Sequence, residues 1–336
     1  VLAARRWSGF DAACSEARRV AAAERSRDRM GALRRQGVDV VEGRARFVDP
    51  GEIEVDDGRR LRSGRFVIAT GSRPAIPDIA GIEAVSPLTP GQLWTLDTPP
   101  ASIAVIGGGP TGCEIAQACA RVGMRVVLFE ASDRILPGEE RDASTIVAAA
   151  LRRDGVQVCE RARVRAVEPD GERGSVRVIP DRGETVRCDR VLLATGRSPV
   201  TDGLDLAAAT VTTDALGFVQ VDRHLRTSAR GTYAAGDVTG LLPYPHAAAE
   251  MGRLAAGHAL KRGSRGALRA RWVPRVTFTE PEVAALGIGE HDAPRWARVG
   301  EVPLSDLDRA VVEGSTDGYC KLVAGPRLPT GRVYGG

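Results

Sequence analysis

Of the 47 basic residues in this 336-residue sequence only two, Lys261 and Lys321, are lysine. Arginine supplies the rest, spread evenly and interleaved with acids, as in AERSRDRMGALRR (23–35), and the formal net charge is only +4. A nucleic-acid binder concentrates its basic residues on one face; dispersed arginine reads as solvated charge, so no nucleic-acid partner is expected. No stretch approaches the roughly 18 uninterrupted apolar residues of a membrane span, so no membrane partner is expected either. The opening VLAARRWSGF lacks the pattern of a signal peptide, which makes a cytoplasmic location the default. Cysteine is sparse in a telling way. Cys14, Cys113, Cys119, Cys159, Cys188 and Cys320 include no CxxC or CxxxxC pair and no two at metal-ligand spacing. They read as buried free thiols, with no metal site and no redox role. Methionine is absent from position 1, and the true start is expected to lie upstream.

What is present is ordinary for a globular protein of two or three domains, with 43% hydrophobic and 27% charged residues. Residues 7–36 predict a long polar helix ending at Gly37. Residues 38–72 alternate apolar and polar positions between Pro-Gly and Asp-Gly turns, the pattern of an antiparallel meander, and close on the buried-strand run FVIATG. A linker is expected at 95–103. From 102 to 196 the pattern is βαβ, then the helix ASTIVAAALRRDG and a further meander over VQVCERARVRAVEPDGERGSVRVIP. VLLATGR (191–197) repeats the form of FVIATGS (66–72), which points to two related nucleotide-binding domains. A strand FVQVD (218–222) and the helix HAAAEMGRLAAGHAL follow, then a basic linker and a last segment, 272–336, of strands and Gly-rich turns.

The most specific signal is Gly107, Gly109 and Gly112 in G-x-G-x-x-G, directly after the apolar strand IAVI and opening a helix. The first glycine permits the tight turn and the second lets backbone approach a pyrophosphate. The third permits close helix–strand packing, and the helix N-terminus offers amide donors and its dipole. Gly108, Pro110 and Thr111 complete the loop. Glu130 closes the second strand 18 residues on, where an acid accepts hydrogen bonds from the adenosine ribose and repels a 2′-phosphate. NAD(H) is therefore the expected dinucleotide.

Four motifs in order, FVIATGSRPAIP, VIGGGPTGCEIAQACARVG, TSARGTYAAGDV with YPHAAAEMG, and VTFTEPEVAALG, resemble the FAD-dependent pyridine nucleotide-disulfide oxidoreductases. Dihydrolipoamide dehydrogenase and mercuric reductase belong to that family. The resemblance implies an α/β fold with two Rossmann-like nucleotide-binding domains plus the start of an α+β dimerisation domain. The FAD domain is incomplete and the NAD domain inserted into it. The implied boundaries are 1–98 (partial FAD-binding domain), 99–218 (NAD-binding domain), 219–265 (return segment of the FAD domain) and 270–336 (truncated dimerisation domain). It also implies FAD-binding positions at Ala45, Thr70, Gly71, Ser72, Asp237 (on the ribityl chain) and Pro243, Tyr244, Pro245 and His246 (backbone facing the flavin edge). Val164 and Gly196 would line the NAD pocket. Glu114 would be the catalytic-site glutamate that pairs with a lysine near the flavin and nicotinamide. Pro110 departs from the pattern, standing where many members carry a gating aromatic residue.

Two parts of the family's machinery are not among these residues: the FAD phosphate turn with its CxxxxC disulfide, and the His-Glu pair of the dimerisation domain. The expectation is a fragment of a longer homodimeric enzyme. NADH would pass hydride to FAD, which reduces a disulfide acting on a small-molecule or protein-bound disulfide, a dithiol, or mercuric ion. Two alternatives stay open: a flavin-dependent NADH oxidase or electron-transfer reductase that needs no redox disulfide, and a catalytically incomplete nucleotide-binding fragment.

Overall fold

The computed structural model describes residues 9–25, 29–171, 174–260, 266–325 and 332–336. The chain divides into two units, Val1–Glu24 with Pro74–Gly196 and Pro274–Gly336, and Arg25–Arg73 with Arg197–Val273.

The first unit is organised by a four-stranded parallel sheet in the order Arg190–Leu193, Ser102–Ile106, Arg125–Phe129, Gln157–Cys159. Every residue of Ser102–Ile106 is buried, as a central strand covered on both faces requires. Successive side chains go to opposite faces. Ile103, Val105 and Leu128 pack with Cys113, Ala116, Val147 and Leu151 of the helices Pro110–Arg121 and Arg141–Arg153. Ala104, Ile106, Val127 and Phe129 pack instead on Val164, Val167 and Val178 of an antiparallel meander. That meander is Val164–Pro169, Val176–Pro180 and Val186–Cys188. The strand Gln157–Cys159, expected in the meander, belongs to the parallel sheet, with Cys159 opposite Phe129. The Cys159 carbonyl accepts from the Glu130 amide, which continues the sheet pairing up to the acid. Later in this unit come the hairpin Arg275–Thr277 with Val283–Ala285, and the three-stranded sheet Arg298–Pro303, Tyr319–Ala324, Val333–Gly335.

Lys321 ties parts of this unit together. Its side chain is 6% exposed, with Nζ 2.7 Å from Glu290, 3.1 Å from Glu301, 3.7 Å from Glu140 and 4.0 Å from Asp142. Burial alone lowers an ammonium's pKa; here the bonds to Glu290 and Glu301 and the surrounding carboxylates outweigh it and push the pKa up.

In the second unit Ala45–Asp49, Glu52–Val55 and Arg60–Arg62 form the expected antiparallel meander. Phe66–Ile68 pairs in parallel with Thr232–Ala234, backed by the helix Pro245–Ala259. Phe47 and Phe66 meet edge to face at 5.3 Å in a core with Ile68, Val219, Ala234 and Val238. The two ATG repeats thus each follow a strand of a parallel pair, one in each unit.

Further expectations are corrected. The helix expected over 7–36 is two helices, Phe10–Arg25 and Arg29–Arg35; residues 7–8 and 26–28 of that span lie outside the described residues. FVQVD forms no strand, only a bridge between Thr213 and Val219. Its flanks are taken by side-chain turns: Asp214 Oδ1 accepts the amides of Leu216 and Phe218, and Asp222 Oδ1 those of His224 and Arg226. The thiols divide as well. Cys14, Cys113, Cys119 and Cys188 are buried, whereas Cys159 is partly exposed and Cys320 exposed. Among the described residues no helix is long and apolar enough to cross a membrane.

Candidate nucleotide-binding site

The loop of residues 107–112 is shaped by close backbone approach. Gly107 adopts φ +108°, and a Cβ there would overlap the Ala194 carbonyl. A Cβ on Gly112 would overlap the Gly107 carbonyl, so only glycine lets the helix begin this close to the strand. At Gly109 a Cβ would meet nothing within 4 Å, so the loop is open there. Pro110 is the first helical residue and lacks an N–H, and the Cys113 amide bonds Gly109 O at 3.0 Å. The Thr111 and Gly112 amides have no acceptor among the described residues. These are the orphan donors of a helix start, the kind of group that can bind an anion.

Glu130 is bound into the same loop. Its Oε2 accepts the Gly108 amide at 2.7 Å and its Oε1 the Ser132 amide at 2.6 Å, with the residue 9% exposed. The Gly108 carbonyl in turn accepts the Leu136 amide at 2.8 Å and the Cys113 thiol at 3.3 Å. Strand end, loop and helix are therefore one hydrogen-bonded unit. A carboxylate has about four lone-pair sites, so two backbone donors leave capacity for a ribose diol. Val164 is buried opposite Pro180 at the start of its strand, and Gly196 has φ +105° with its carbonyl accepting the Ala75 amide.

Burial holds three thiols of this unit, Cys113, Cys119 and Cys188, out of chemistry. It pushes Cys119 up to about 12 and Cys188 to about 11, and raises Cys113 further, with help from Glu130 and Glu114. At neutral pH all three are neutral thiols, not nucleophiles.

Glu114 lies one turn into the helix, half-buried. Its Oε1 accepts the Phe278 amide at 2.9 Å. Burial raises its carboxyl pKa, and the Phe278 bond works against that rise.

In the second unit, Ser72 Oγ donates to Asp237 Oδ2 at 2.6 Å, and Thr70 Oγ1 donates to Val200 O at 2.6 Å. The Gly71 carbonyl accepts the Val200 amide at 3.0 Å. Arg197 donates from Nε to Ser72 Oγ and from Nη2 to Ser72 O, and stands 3.3 Å from Asp237. Oδ1 of Asp237 makes no hydrogen bond among the described residues, so it is available to a polyol hydroxyl. Tyr244 and His246 stack with centroids 5.5 Å apart; Tyr244 caps the helix Pro245–Ala259, and Pro245 and His246 are its first two residues. Ala45 sits in the antiparallel sheet opposite Val55. Arg197 is the residue that sequence reasoning passed over. Its signal was the repeat itself, since it occupies in the second ATG motif the place that Ser72 holds in the first.

A βαβ element with a glycine loop in one unit and an ATG-bearing parallel pair in the other are both of the type found in nucleotide-binding domains. Residues 6–252 match the pyridine nucleotide-disulphide oxidoreductase family, and residues 273–336 match that family's dimerisation domain. The chain belongs to this family, whose members use FAD and NAD(P)H. Its relatives include a mercuric reductase of Lysinibacillus sphaericus, 36% identical over 290 residues, covering 85% of this chain and 53% of the relative. An NAD(P)H dehydrogenase (quinone) of Mycobacterium tuberculosis is 35% identical over 328 residues, 94% of this chain and 66% of that one. Among solved structures, the HOCl-induced flavoprotein disulfide reductase RclA of Escherichia coli superposes with TM-score 0.87 at 26% identity, covering 98% of this chain and 75% of that one. The chain thus spans about half the length of the mercuric reductases it matches.

Proposed function

We propose that these residues supply the NAD(H) site and much of the flavin cradle of an FAD-dependent oxidoreductase. The observation that carries the reading is the loop of residues 107–112, with its two unpaired amides and with Glu130 bonded into it. The Thr111 and Gly112 amides bind the pyrophosphate, and Glu130 takes the ribose diol. The same carboxylate repels a 2′-phosphate, so NADH is preferred. Glu114 stands on the nicotinamide side as a charged group available to a lysine partner. In the second unit Thr70, Gly71, Ser72 and Asp237 hold the flavin ribityl region, with Asp237 Oδ1 accepting a hydroxyl, while Ala45 and Pro243–His246 line its ends. A bound FAD would supply two-electron redox chemistry toward NADH, with these residues holding it.

In a homodimeric, cytoplasmic protein of the relatives' length, the electrons go to a redox disulfide that acts on a disulfide, a dithiol or mercuric ion. A second reading, an NADH-dependent reductase of quinone-like acceptors, draws support from the quinone dehydrogenase that matches 94% of the chain. Calorimetric titration of the 336-residue chain tests the dinucleotide site. NADH is expected to bind at least about tenfold more tightly than NADPH, the lower end of one charge-assisted hydrogen bond. Equal affinity, or no binding of either, defeats the assignment.

A further inference from the structure

The helix Pro110–Arg121 presents Glu114, Gln117 and Arg121 at i, i+3 and i+7, positions that share one face. All three engage the segment 278–280. Glu114 accepts the Phe278 amide at 2.9 Å. Gln117, wholly buried, makes both halves of a backbone-type pair with Glu280: Oε1 accepts its amide at 2.8 Å, and Nε2 donates to its carbonyl at 2.9 Å. The second Nε2 hydrogen goes to Asp154 Oδ2 at 2.8 Å, and Arg121 donates to that oxygen at 2.9 Å and also engages the Glu280 carboxylate. The partners leave no ambiguity in the amide's orientation, because an N–H donor and two acceptors surround it.

Phe278 and Glu280 are two residues apart, and both of their amides point at the helix. Fixing Glu280 therefore fixes where the Phe278 N–H lies. Phe278 is 47% exposed, so its own side chain does little to anchor the segment. We propose that Gln117 is a positioning residue for Glu114: by docking the Glu280 backbone on the helix it holds the Phe278 amide against the Glu114 carboxylate. The inference rests on the reading of Glu114 as the charged group of the nicotinamide side. Three charged or titratable groups of the described residues near Glu114 are engaged elsewhere or neutral. The Cys113 thiol is neutral, Arg121 is held by Asp154 and Glu280, and Arg275 on the neighbouring strand is taken by Glu139 at 2.9 Å. The Phe278 amide is the donor that reaches the carboxylate.

The test is carbon-13 NMR titration of the Glu114 carboxyl in the 336-residue chain, assigned with Glu114→Gln, together with amide hydrogen exchange. Gln117→Met, of similar size but without the amide, is expected to move the Glu114 midpoint to higher pH. It should also speed Phe278 exchange by about tenfold or more, as a local opening would. Glu280→Ala keeps the backbone pair and should leave Phe278 protection as it is. In the wild-type chain, where folding is not at issue, the Phe278 and Glu280 amides should exchange with the same protection. Phe278 exchanging freely while Glu280 stays protected, or a Glu114 midpoint indifferent to Gln117→Met, overturns the proposal. NADH titration of the same samples separates the two readings. A wild-type chain that ignores NADH while Glu114 still answers to Gln117 defeats the functional reading and leaves the positioning role standing.

Discussion

The two candidate sites, one in each unit, are built by different means. In the first unit the candidate site is made mostly of backbone: Glu130 is held by the Gly108 and Ser132 amides, and the Thr111 and Gly112 amides have no acceptor among the described residues. In the second unit it is made of side chains, with Asp237 shared between the Ser72 hydroxyl and the Arg197 guanidinium. A backbone site is fixed by where glycine is required, so it tolerates almost no change at the glycines. A side-chain site spreads its energy over partners that can be removed singly, each for a modest loss.

The sharpest way to break the comparison is at the closest approach. Gly112→Ala sets a methyl group onto the Gly107 carbonyl and is expected to destabilise the chain by about 3 kcal/mol or more, with loss of NADH binding. A urea midpoint equal to wild type would mean that the loop yields and the backbone account is wrong. Next is Lys321→Met, which leaves four carboxylates facing an apolar side chain. Breaking a buried pair costs about 3–5 kcal/mol; the partly exposed acids reduce this to about 2 kcal/mol. Because the folded pKa of Lys321 lies above its ordinary 10.5, its contribution is complete at neutral pH and fades as pH climbs through that raised value. Wild type and variant should therefore converge in denaturant midpoint only in strongly alkaline solution, and convergence at pH 8 would contradict the hub.

Exchanging Glu130 for Ala should weaken NADH relative to NADPH by ~1–3 kcal/mol in a binding titration. Arg197→Ala, which removes one of two partners from Asp237, should cost about 1 kcal/mol of stability and leave NADH affinity unchanged. Affinity that fell in step would mean that the two sites are not independent. The smallest effect is the most diagnostic in sign. Burial raises the Glu114 pKa, so its ionisation opposes folding as pH rises through that value. Glu114→Gln should then raise the melting temperature at pH 8 and leave it alone at pH 4, where both side chains are neutral.

The glycine loop and Glu130 were legible in the sequence because their chemistry is local. Tight turn, close approach and helix start occupy six consecutive residues, and the acid follows at the end of the next strand. The same holds for the helices Pro110–Arg121 and Arg141–Arg153. Val219 of FVQVD is buried, yet Asp214 and Asp222 drew the flanking amides into turns that hydrophobic pattern does not encode. Gln157–Cys159 alternated like the meander after it, and its parallel pairing depended on a partner strand some 30 residues upstream. Gln117 and Glu280 are 163 residues apart, and no motif joins a buried amide to a backbone at that distance. The four carboxylates around Lys321 were invisible for the same reason. Each was one acid among 43.

The scarcity of lysine and the burial of Lys321 together give the chain an internal gauge of its own opening. A protease that cuts only after lysine has two sites in the whole sequence, and one of them lies with its ammonium shut among acids. Scission there waits until the surrounding strands part, so its rate counts the molecules in which this region has come undone.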